Sequence, residues 1–341
     1  MIYFDSDYLE GAHTSILEKL FQTNFEQTPG YGTDKYTQSA KEKIRKACKC
    51  PDADIHFLVG GTQTNATVID ALLKSYEGIL STEIAHIEVH EAGAIEFGGH
   101  KVITLPQKDG KLQASDIKNY LEKFYDDSSF EHMTIPGAVY ISHPTELGTL
   151  YTKKELAQIS EICQKYNLPL FLDGARLGYG LVSPNTDVTL EDIANYCDVF
   201  YIGGTKVGAL FGEAVVITKK DLIPHFFTII KQHGALLAKG RMLGIQFDTL
   251  FTDNLYLKIA QNAIDKAIQL KAIFHEKNYP FFLETDTNQQ FIILENTKMT
   301  QLREKISFSF WERYDENHTV VRFATSWATT QEAIDTLKNI L

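Results

Sequence analysis

The chain has 341 residues, of which 44% are hydrophobic and 9 are prolines, so it has enough apolar material for a large core and a smaller second domain. Asp and Glu total 44 against 33 Lys and Arg, and no cluster of basic residues forms the stripe that a nucleic-acid partner requires. The 4 cysteines are too few for a disulfide scaffold, and no apolar run approaches membrane-spanning length. We therefore predict a cytoplasmic protein with free thiols and without a metal, nucleic-acid or membrane partner.

Short apolar runs alternate with amphipathic stretches through the first two thirds of the chain, which is typical of parallel strands joined by crossover helices. Predicted strands lie at residues 55–59, 102–105, 138–142, 170–172, 199–202 and 214–217. Predicted helices lie at residues 65–76, 114–124, 153–166 and 190–196. The pattern predicts an α/β fold with a mostly parallel sheet in a large domain of residues 1–246.

The pattern changes near residue 247, where residues 247–278 are compatible with one long connecting helix. Beyond it, residues 291–294 and 320–324 are predicted strands. Residues 330–341 form a predicted closing helix whose capping signal runs from Thr329 to Glu332. Residues 247–341 are therefore predicted to be a small α+β domain that packs closely against the first, with the first residues of the chain near it.

A lysine follows the strand at residues 199–202, within the turn GGTKVG at residues 203–208. Open α/β sheets hold their ligands at this carboxyl end of the strands. Lys206 can form an imine with an aldehyde cofactor, and the flanking glycines let the backbone approach a ring closely. Taken alone, such a residue is more often a solvated loop lysine.

Three further features point to the same edge of the sheet. Asp173 ends the strand before the lysine, where it can pair with a pyridine nitrogen or simply cap the next helix. The sequence GGTQTN at residues 60–65 follows a strand and opens a helix, which suits a phosphate but is also common in tight turns. His86 can stack on a cofactor ring, or be an ordinary surface histidine.

In their order and spacing, these segments resemble the low-specificity threonine aldolases, which belong to the β-eliminating lyase group of aminotransferase-like, fold-type-I pyridoxal-phosphate proteins. The resemblance covers nearly the whole chain. The motifs that carry it are residues 5–7 (DSD), 31–34 (YGTD), 61–65 (GTQTN), 86–94, 173–176 (DGAR) and 205–206 (TK), with Arg241 and Arg322.

The resemblance implies an enzyme that cleaves L-threonine, L-allo-threonine or a related 3-hydroxy amino acid into glycine and an aldehyde. It implies the following roles: Lys206 carries pyridoxal 5'-phosphate, Asp173 meets its pyridine nitrogen, His86 stacks on its ring, Gly61 and Thr62 bind its phosphate, and Ser6, Arg176 and Arg322 hold the substrate carboxylate. Arg241 resembles an arginine that reaches the phosphate of a neighbouring subunit. A homo-oligomer built as a dimer of dimers is therefore expected.

Two positions depart from the family pattern. Glu146 stands where many of these aldolases have a second active-site histidine, and His143 lies three residues earlier. Either side chain can act as a base or orient a water molecule, so the base and the accepted side chain stay open. Thr205 precedes the lysine where serine is more usual, although its hydroxyl can also serve a phosphate oxygen.

Other functions compete with the aldolase. A β-eliminating lyase would release a phenol, indole or thiol, with ammonia and a keto acid in place of glycine, and a phenylserine-type aldolase would prefer a bulkier substrate. An aminotransferase is a weaker match because the motifs fit it less closely. A different class is a non-catalytic protein that binds pyridoxal phosphate as a sensor or serves as a scaffold.

Overall fold

The computed structural model describes residues 1–341. The strands, in chain order, are β1 (Ile2–Tyr3), β2 (Asp54–Leu58), β3 (Glu77–Thr82), β4 (Lys101–Leu105), β5 (Gln107–Lys108), β6 (Lys111–Leu112), β7 (Ile135–Ser142), β8 (Leu170–Asp173), β9 (Val199–Gly203), β10 (Glu213–Ile217), β11 (Phe281–Leu283), β12 (Gln289–Glu295), β13 (Ile306–Ser307), β14 (Ser309–Arg313) and β15 (His318–Ala324).

The α-helices, in chain order, are α1 (Thr14–Gln22), α2 (Lys35–Cys48), α3 (Gly61–Leu72), α4 (His86–Val89), α5 (Ala94–Phe97), α6 (Ala114–Asp126), α7 (Lys153–Lys165), α8 (Leu177–Leu181), α9 (Leu190–Tyr196), α10 (Phe226–Gln232), α11 (Arg241–Leu250), α12 (Leu255–Glu276), α13 (Asn296–Arg303) and α14 (Gln331–Ile340). None of them combines the length and the hydropathy of a membrane-spanning segment.

Seven strands form the main sheet in the order β2-β10-β9-β8-β7-β3-β4. β10 runs antiparallel to both of its neighbours, whereas the other strand pairs are parallel. The predicted α/β fold with a mostly parallel sheet is confirmed. Every residue of β9 and β10 is buried, because helices cover both faces of the sheet, and this explains the unbroken apolar runs in the sequence.

Alternation along the strands divides the core between the two faces. In β9, Phe200 and Ile202 belong to the apolar cluster on one face, whereas Val199 and Tyr201 belong to the cluster on the other. The carboxyl ends of β7, β8 and β9 lie at the same edge, here called the carboxyl edge. Glu213 begins β10 opposite Gly203, so this acidic residue also lies at the carboxyl edge.

The second sheet has four antiparallel strands in the order β11-β12-β15-β14. Its core contains Phe323 and Ile334, together with Phe4 from the start of the chain. β1 pairs in parallel with β13, with Ile2 opposite Ile306. The N-terminal segment therefore lies beside the C-terminal sheet and leads directly toward the carboxyl edge.

The structure corrects several predicted elements. β3 was not predicted, because only Ile79 and Leu80 are aliphatic within it and the buried Ser81 and Thr82 conceal its position inside the sheet. The predicted helix at residues 65–76 begins at Gly61 and ends at Leu72 instead. Gly60 offers no capping side chain there, so the start of the helix lacks the side-chain hydrogen bond that most clearly marks a helix start.

The long connecting helix predicted at residues 247–278 is two helices. α11 ends at Leu250, and α12 begins at Leu255 after Asp253 and Asn254, which have positive φ angles of 49° and 60°. Asx residues tolerate this left-handed conformation, and two in succession break the helix. The cap of α14 is also one residue later than predicted, because the hydroxyl of Thr330, rather than Thr329, accepts the Ala333 N–H.

Candidate active site

A cavity of about 290 Å³ opens at the carboxyl edge of the main sheet and is here called the site cavity. Eight of the residues predicted for the site line it, namely Gly61, Thr62, His86, Glu146, Asp173, Arg176, Thr205 and Lys206. Four predicted residues, Ser6, His143, Arg241 and Arg322, are not part of its lining. The strand ends thus bring together residues that lie up to 145 positions apart, from Gly61 to Lys206.

Lys206 lies in the turn that follows β9. The hydroxyl of Tyr179 donates to the Lys206 carbonyl and accepts the Trp327 N–H at 3.2 Å, so the backbone of the lysine is anchored. The Lys206 side chain makes no hydrogen bond or ion pair within the protein. Burial, followed by the nearby Arg176 guanidinium, lowers the pKa of Lys206. A larger share of neutral amine follows, which is the form that attacks a carbonyl carbon.

Asp173 ends β8 as a buried carboxylate. Its Oδ2 accepts hydrogen bonds from the Tyr140 hydroxyl at 2.7 Å and the Asn65 amide at 3.0 Å, and its Oδ1 accepts the Ala175 N–H at 2.9 Å. Burial acts to raise the pKa of Asp173, but the nearby His86, the Tyr201 and Tyr140 hydroxyls and the Ala175 N–H outweigh it and lower the pKa overall. The residue is therefore an ionised acceptor, as a protonated pyridine nitrogen requires.

The α3 helix begins at the cavity with Gly61 and Thr62, so the N–H groups of its first turn have no partners within the helix. A Cβ on Gly61 would come within 3.2 Å of the Tyr201 hydroxyl. Glycine therefore keeps the backbone accessible at this point, and a helix of 12 residues directs its positive end toward the cavity. This end of the cavity suits an anion such as a phosphate.

The two arginines expected to hold a carboxylate differ in their charge balance. Arg176 donates from Nε and Nη2 to the two oxygens of Asp7, at 2.7 and 3.0 Å. Burial acts to raise the pKa of Asp7, but Arg176, with contributions from Lys206 and Arg322, lowers it to about 2. Arg176 is therefore neutralised by a buried partner that the sequence did not identify as a site residue.

Arg322 has no acidic partner within ion-pair distance. Its Nη1 donates to Gln289 Oε1 at 3.0 Å, and its Nη2 donates to the Asp5 carbonyl at 3.1 Å and to Ser309 Oγ at 3.3 Å. Its Nε is buried without a partner, and so is the hydroxyl of Ser6. Burial and the nearby Arg176 lower the pKa of Arg322 to about 10. An unbalanced positive charge with an unused donor suits an incoming carboxylate.

Glu146 and His143 both follow β7 but make different contacts. Glu146 lines the cavity, and its Oε1 accepts the His86 N–H at 2.9 Å and the Ser142 hydroxyl at 2.7 Å. Burial raises the pKa of Glu146. The His143 ring instead accepts the Tyr151 N–H at 3.3 Å away from the cavity, and burial lowers its pKa to about 4. Of the two candidate bases, only Glu146 reaches the site.

Thr205 uses its hydroxyl hydrogen within the protein, because Oγ1 donates to Glu213 Oε1 at 2.9 Å. Glu213 also accepts the Gly204 N–H at 3.2 Å and lines the cavity. Burial raises the pKa of Glu213 to about 8. Thr205 thus orders the turn around Lys206 through Glu213, and a phosphate contact from its hydroxyl would require this hydrogen bond to be exchanged.

Arg241 begins α11, outside the cavity of its own chain. Its guanidinium donates to the Glu26 carbonyl at 2.7 Å and to the Thr23 carbonyl. Both acceptors belong to the segment that follows α1. No contact joins Arg241 to the site cavity of the same chain.

The cavity fits pyridoxal 5'-phosphate in three independent respects. Lys206 offers an amine without an ionic partner, Asp173 offers an ionised carboxylate, and Gly61 offers unpartnered backbone N–H groups at a helix start. The aldehyde, the pyridine nitrogen and the phosphate of the cofactor would each find the chemistry they need. The residues that would hold the group are therefore present in one cavity.

Residues 4–297 match the family model described as beta-eliminating lyase. The chain belongs to the beta-eliminating lyase family. A low-specificity L-threonine aldolase from Pseudomonas aeruginosa is 28% identical over 334 residues, which cover 97% of this chain and 94% of that protein.

Solved structures place this beta-eliminating lyase among the aminotransferase-like folds, as predicted. A Leishmania major threonine aldolase superposes with a TM-score of 0.95 and 42% identity, over 100% of this chain and 99% of the other. A histidinol-phosphate aminotransferase from Clostridium acetobutylicum gives a TM-score of 0.74 at 16% identity, covering 100% and 98% of the two chains. The second likeness concerns the fold alone.

The site of this beta-eliminating lyase also contains lining residues that the sequence did not reveal. Tyr8, Ser142, Tyr201 and Glu213 all line the cavity. Glu213 could have been identified from one feature of the sequence. It is a charged residue that opens an apolar strand, seven positions after the lysine. Tyr201 had none, since an aromatic residue within an apolar strand is ordinarily a core residue.

Proposed function

We propose that this protein is a pyridoxal-phosphate-dependent aldolase that cleaves L-threonine, L-allo-threonine or a related 3-hydroxy amino acid into glycine and an aldehyde. The observation that carries the proposal is the joint presence of Lys206 and Asp173 in one cavity, beside an arginine whose charge is not balanced. The relatives named above are threonine aldolases. A sensor or scaffold has no need of this combination of groups.

In this mechanism, Lys206 would bind the cofactor covalently, and its lowered pKa supplies the neutral amine that such a bond requires. Asp173 would hold a proton on the pyridine nitrogen, and His86 would pack against the cofactor ring. When bound, the cofactor would supply an electron sink for the bond between the α and β carbons. Arg322 Nε and Ser6 Oγ bind the substrate carboxylate and so orient the bond that breaks.

The first test is a product assay with the purified protein, added pyridoxal phosphate and L-threonine. Glycine and acetaldehyde should form in equal amounts, and a visible absorption band of the bound cofactor should change on substrate addition. Ammonia and a keto acid in place of glycine would identify an eliminating lyase. Cleavage of phenylserine without cleavage of threonine would move the preference to bulky substrates, and absence of any cofactor band would refute the proposal.

We propose Glu146 as the base that removes the proton from the 3-hydroxyl. Support comes from its position in the cavity, where Ser142 and the His86 N–H fix Oε1 while Oε2 makes no hydrogen bond. A base acts in its ionised form. Because burial raises the pKa of Glu146, activity should fall as the pH drops through a value above the ordinary range for glutamate.

Glu146→Gln should therefore lower kcat for threonine cleavage by about 100-fold or more and remove this acidic limb from the pH profile. The amide keeps the size of the side chain but cannot take up the proton. Glu161→Gln, at an exposed position of α7, serves as the control. An unchanged kcat, or the same acidic limb in the Glu146→Gln profile, would exclude Glu146 as the base.

We also propose that a second copy of this chain completes the site, with further copies forming a dimer of dimers. Two large apolar side chains are exposed where the chain binds Arg241. Phe21 is 85% exposed and Phe25 is 95% exposed. Large exposed apolar groups of this kind mark an interaction surface. Arg241 binds the backbone of this segment at Thr23 and Glu26, and it would exchange these hydrogen bonds to reach the phosphate of the neighbouring copy.

Light scattering should therefore give a mass of more than one chain. The double substitution Phe21→Asp and Phe25→Asp should shift the protein toward single chains and weaken pyridoxal-phosphate binding at the same time. Tyr314→Asp, at an exposed position after β14, is the control. A single-chain mass for the wild type, or full cofactor affinity in a dissociated variant, would contradict a shared site.

A further inference from the structure

A chain of buried polar side chains lies behind the site cavity and joins two of its residues. Asn65, on α3, donates from Nδ2 to Glu91 Oε1 at 2.7 Å and to Asp173 Oδ2 at 3.0 Å. A side-chain amide has two hydrogens on this nitrogen, so it can satisfy both carboxylates at once. Asn65 thus bridges two acidic groups that lie 82 positions apart in the sequence.

Glu91 occupies the middle of this series of hydrogen-bonded side chains. Its side chain is 0% exposed, and its Oε1 also lies 2.7 Å from His86 Nδ1. A carboxylate only accepts hydrogen bonds, so Nδ1 of His86 carries the hydrogen of this contact. The contact fixes both the plane of the His86 ring and the identity of the nitrogen that remains for other partners.

The environment of Glu91 is unusual for a group with a purely structural role. No lysine or arginine forms an ion pair with it, and its Oε2 is buried without a hydrogen-bond partner. Burying a carboxylate with an unused oxygen costs folding free energy, and an apolar residue of similar volume would avoid that cost. The contacts it does make lead only to His86 and, through Asn65, to Asp173.

We propose that Glu91 is a positioning residue of the active site, which holds the His86 ring directly and the Asp173 carboxylate through the Asn65 amide. The inference rests on the proposed function, because His86 and Asp173 are the residues assigned to the face and the nitrogen of the cofactor ring. Glu91 itself does not line the cavity. Its effect is to make the orientations of two cofactor-contacting side chains depend on one another.

The test compares pyridoxal-phosphate binding by Glu91→Leu, Asn65→Leu, the double variant and the wild type. We expect Glu91→Leu to weaken cofactor binding by about tenfold or more, as loss of supporting contacts does at other ligand sites, and to alter the visible circular dichroism of the bound cofactor. The double variant should bind the cofactor with about the same affinity as whichever single variant binds it less tightly, because both substitutions interrupt the same series of contacts.

Glu88→Leu is the matched control, since Glu88 is an exposed glutamate three residues earlier whose side chain makes no hydrogen bond. Binding by Glu91→Leu within twofold of the wild type, with unchanged circular dichroism, would overturn the proposal. A double variant whose loss of cofactor affinity equals the product of the two single losses would also overturn the proposal. Cofactor binding and product formation by the wild-type protein test the aldolase function separately. A failure of that function can therefore be told apart from a failure of the positioning role of Glu91.

Glu91→Gln keeps the test decisive if the leucine variant does not fold. Glutamine preserves the volume and one oxygen, but it weakens the charge-assisted contact to Nδ1 and places an NH₂ group where no acceptor exists. We expect cofactor binding to weaken by about threefold or more, with a changed circular dichroism spectrum. Binding and spectrum identical to those of the wild type would overturn the proposal.

Discussion

Lys206→Ala should lower the rate of threonine cleavage by at least about three orders of magnitude and abolish the absorption band of the covalently bound cofactor. The reason is that no other lysine lines the site cavity, so no second amine can replace Nζ. The fold should survive, because the Lys206 side chain makes no hydrogen bond or ion pair that the variant would lose. Absorption spectra and glycine release, measured on the same sample, check both expectations.

Lys220→Ala provides the comparison for this experiment. Lys220 is exposed after β10 and pairs with no acid, so its loss removes a lysine amine without touching the cavity. Wild-type spectra and rates are expected for it. A Lys206→Ala protein that kept the band and released glycine at the wild-type rate would remove the basis of the aldolase assignment.

Arg322→Met should reduce kcat/KM for threonine by roughly 100- to 1000-fold, mainly through a higher KM. Arg322 is the arginine whose charge is not neutralised by an acid, and its unpartnered Nε fits a carboxylate oxygen. Methionine fills similar space without charge. Steady-state kinetics with threonine, together with the affinity for pyridoxal phosphate, measure the effect. Cofactor affinity should change little, because Arg322 is not part of the cavity lining.

Arg322→Lys should not restore the activity. A single ammonium cannot maintain the contacts to Gln289, Asp5 and Ser309 while also presenting a donor to the substrate. Arg313→Met, at an exposed position of β14, controls for the loss of positive charge in the second sheet. A KM for Arg322→Met equal to that of the wild type would show that another group binds the carboxylate.

Residues whose position follows from the strand pattern could be found from the sequence. Lys206 and Asp173 follow apolar runs directly, and the ends of neighbouring parallel strands must lie side by side. β3 escaped detection for the converse reason, since its hydroxyl-bearing residues conceal a buried strand. The sheet and its main functional edge were therefore predictable wherever the central strands were continuously apolar.

Residues that act through distant partners could not be found in this way. Asp7 pairs with Arg176 across 169 positions, and Asn65 reaches Asp173 across 108, and neither distance leaves a trace in local periodicity. The choice between His143 and Glu146 likewise depends on which side chain the turn after β7 directs into the cavity. Spacing alone left both residues available, whereas in the structure His143 accepts the Tyr151 N–H and only Glu146 lines the cavity.

The N-terminal segment has a consequence for how the enzyme is made. Residues 2–8 are synthesised well before their partners, because Ile2 pairs with Ile306, Asp7 accepts a hydrogen bond from Asn288, and Arg322 donates to the carbonyl of Asp5. The N-terminal segment therefore cannot take its place on a nascent chain that has completed only the main sheet. It finds its partners after the strands of the second sheet have been synthesised.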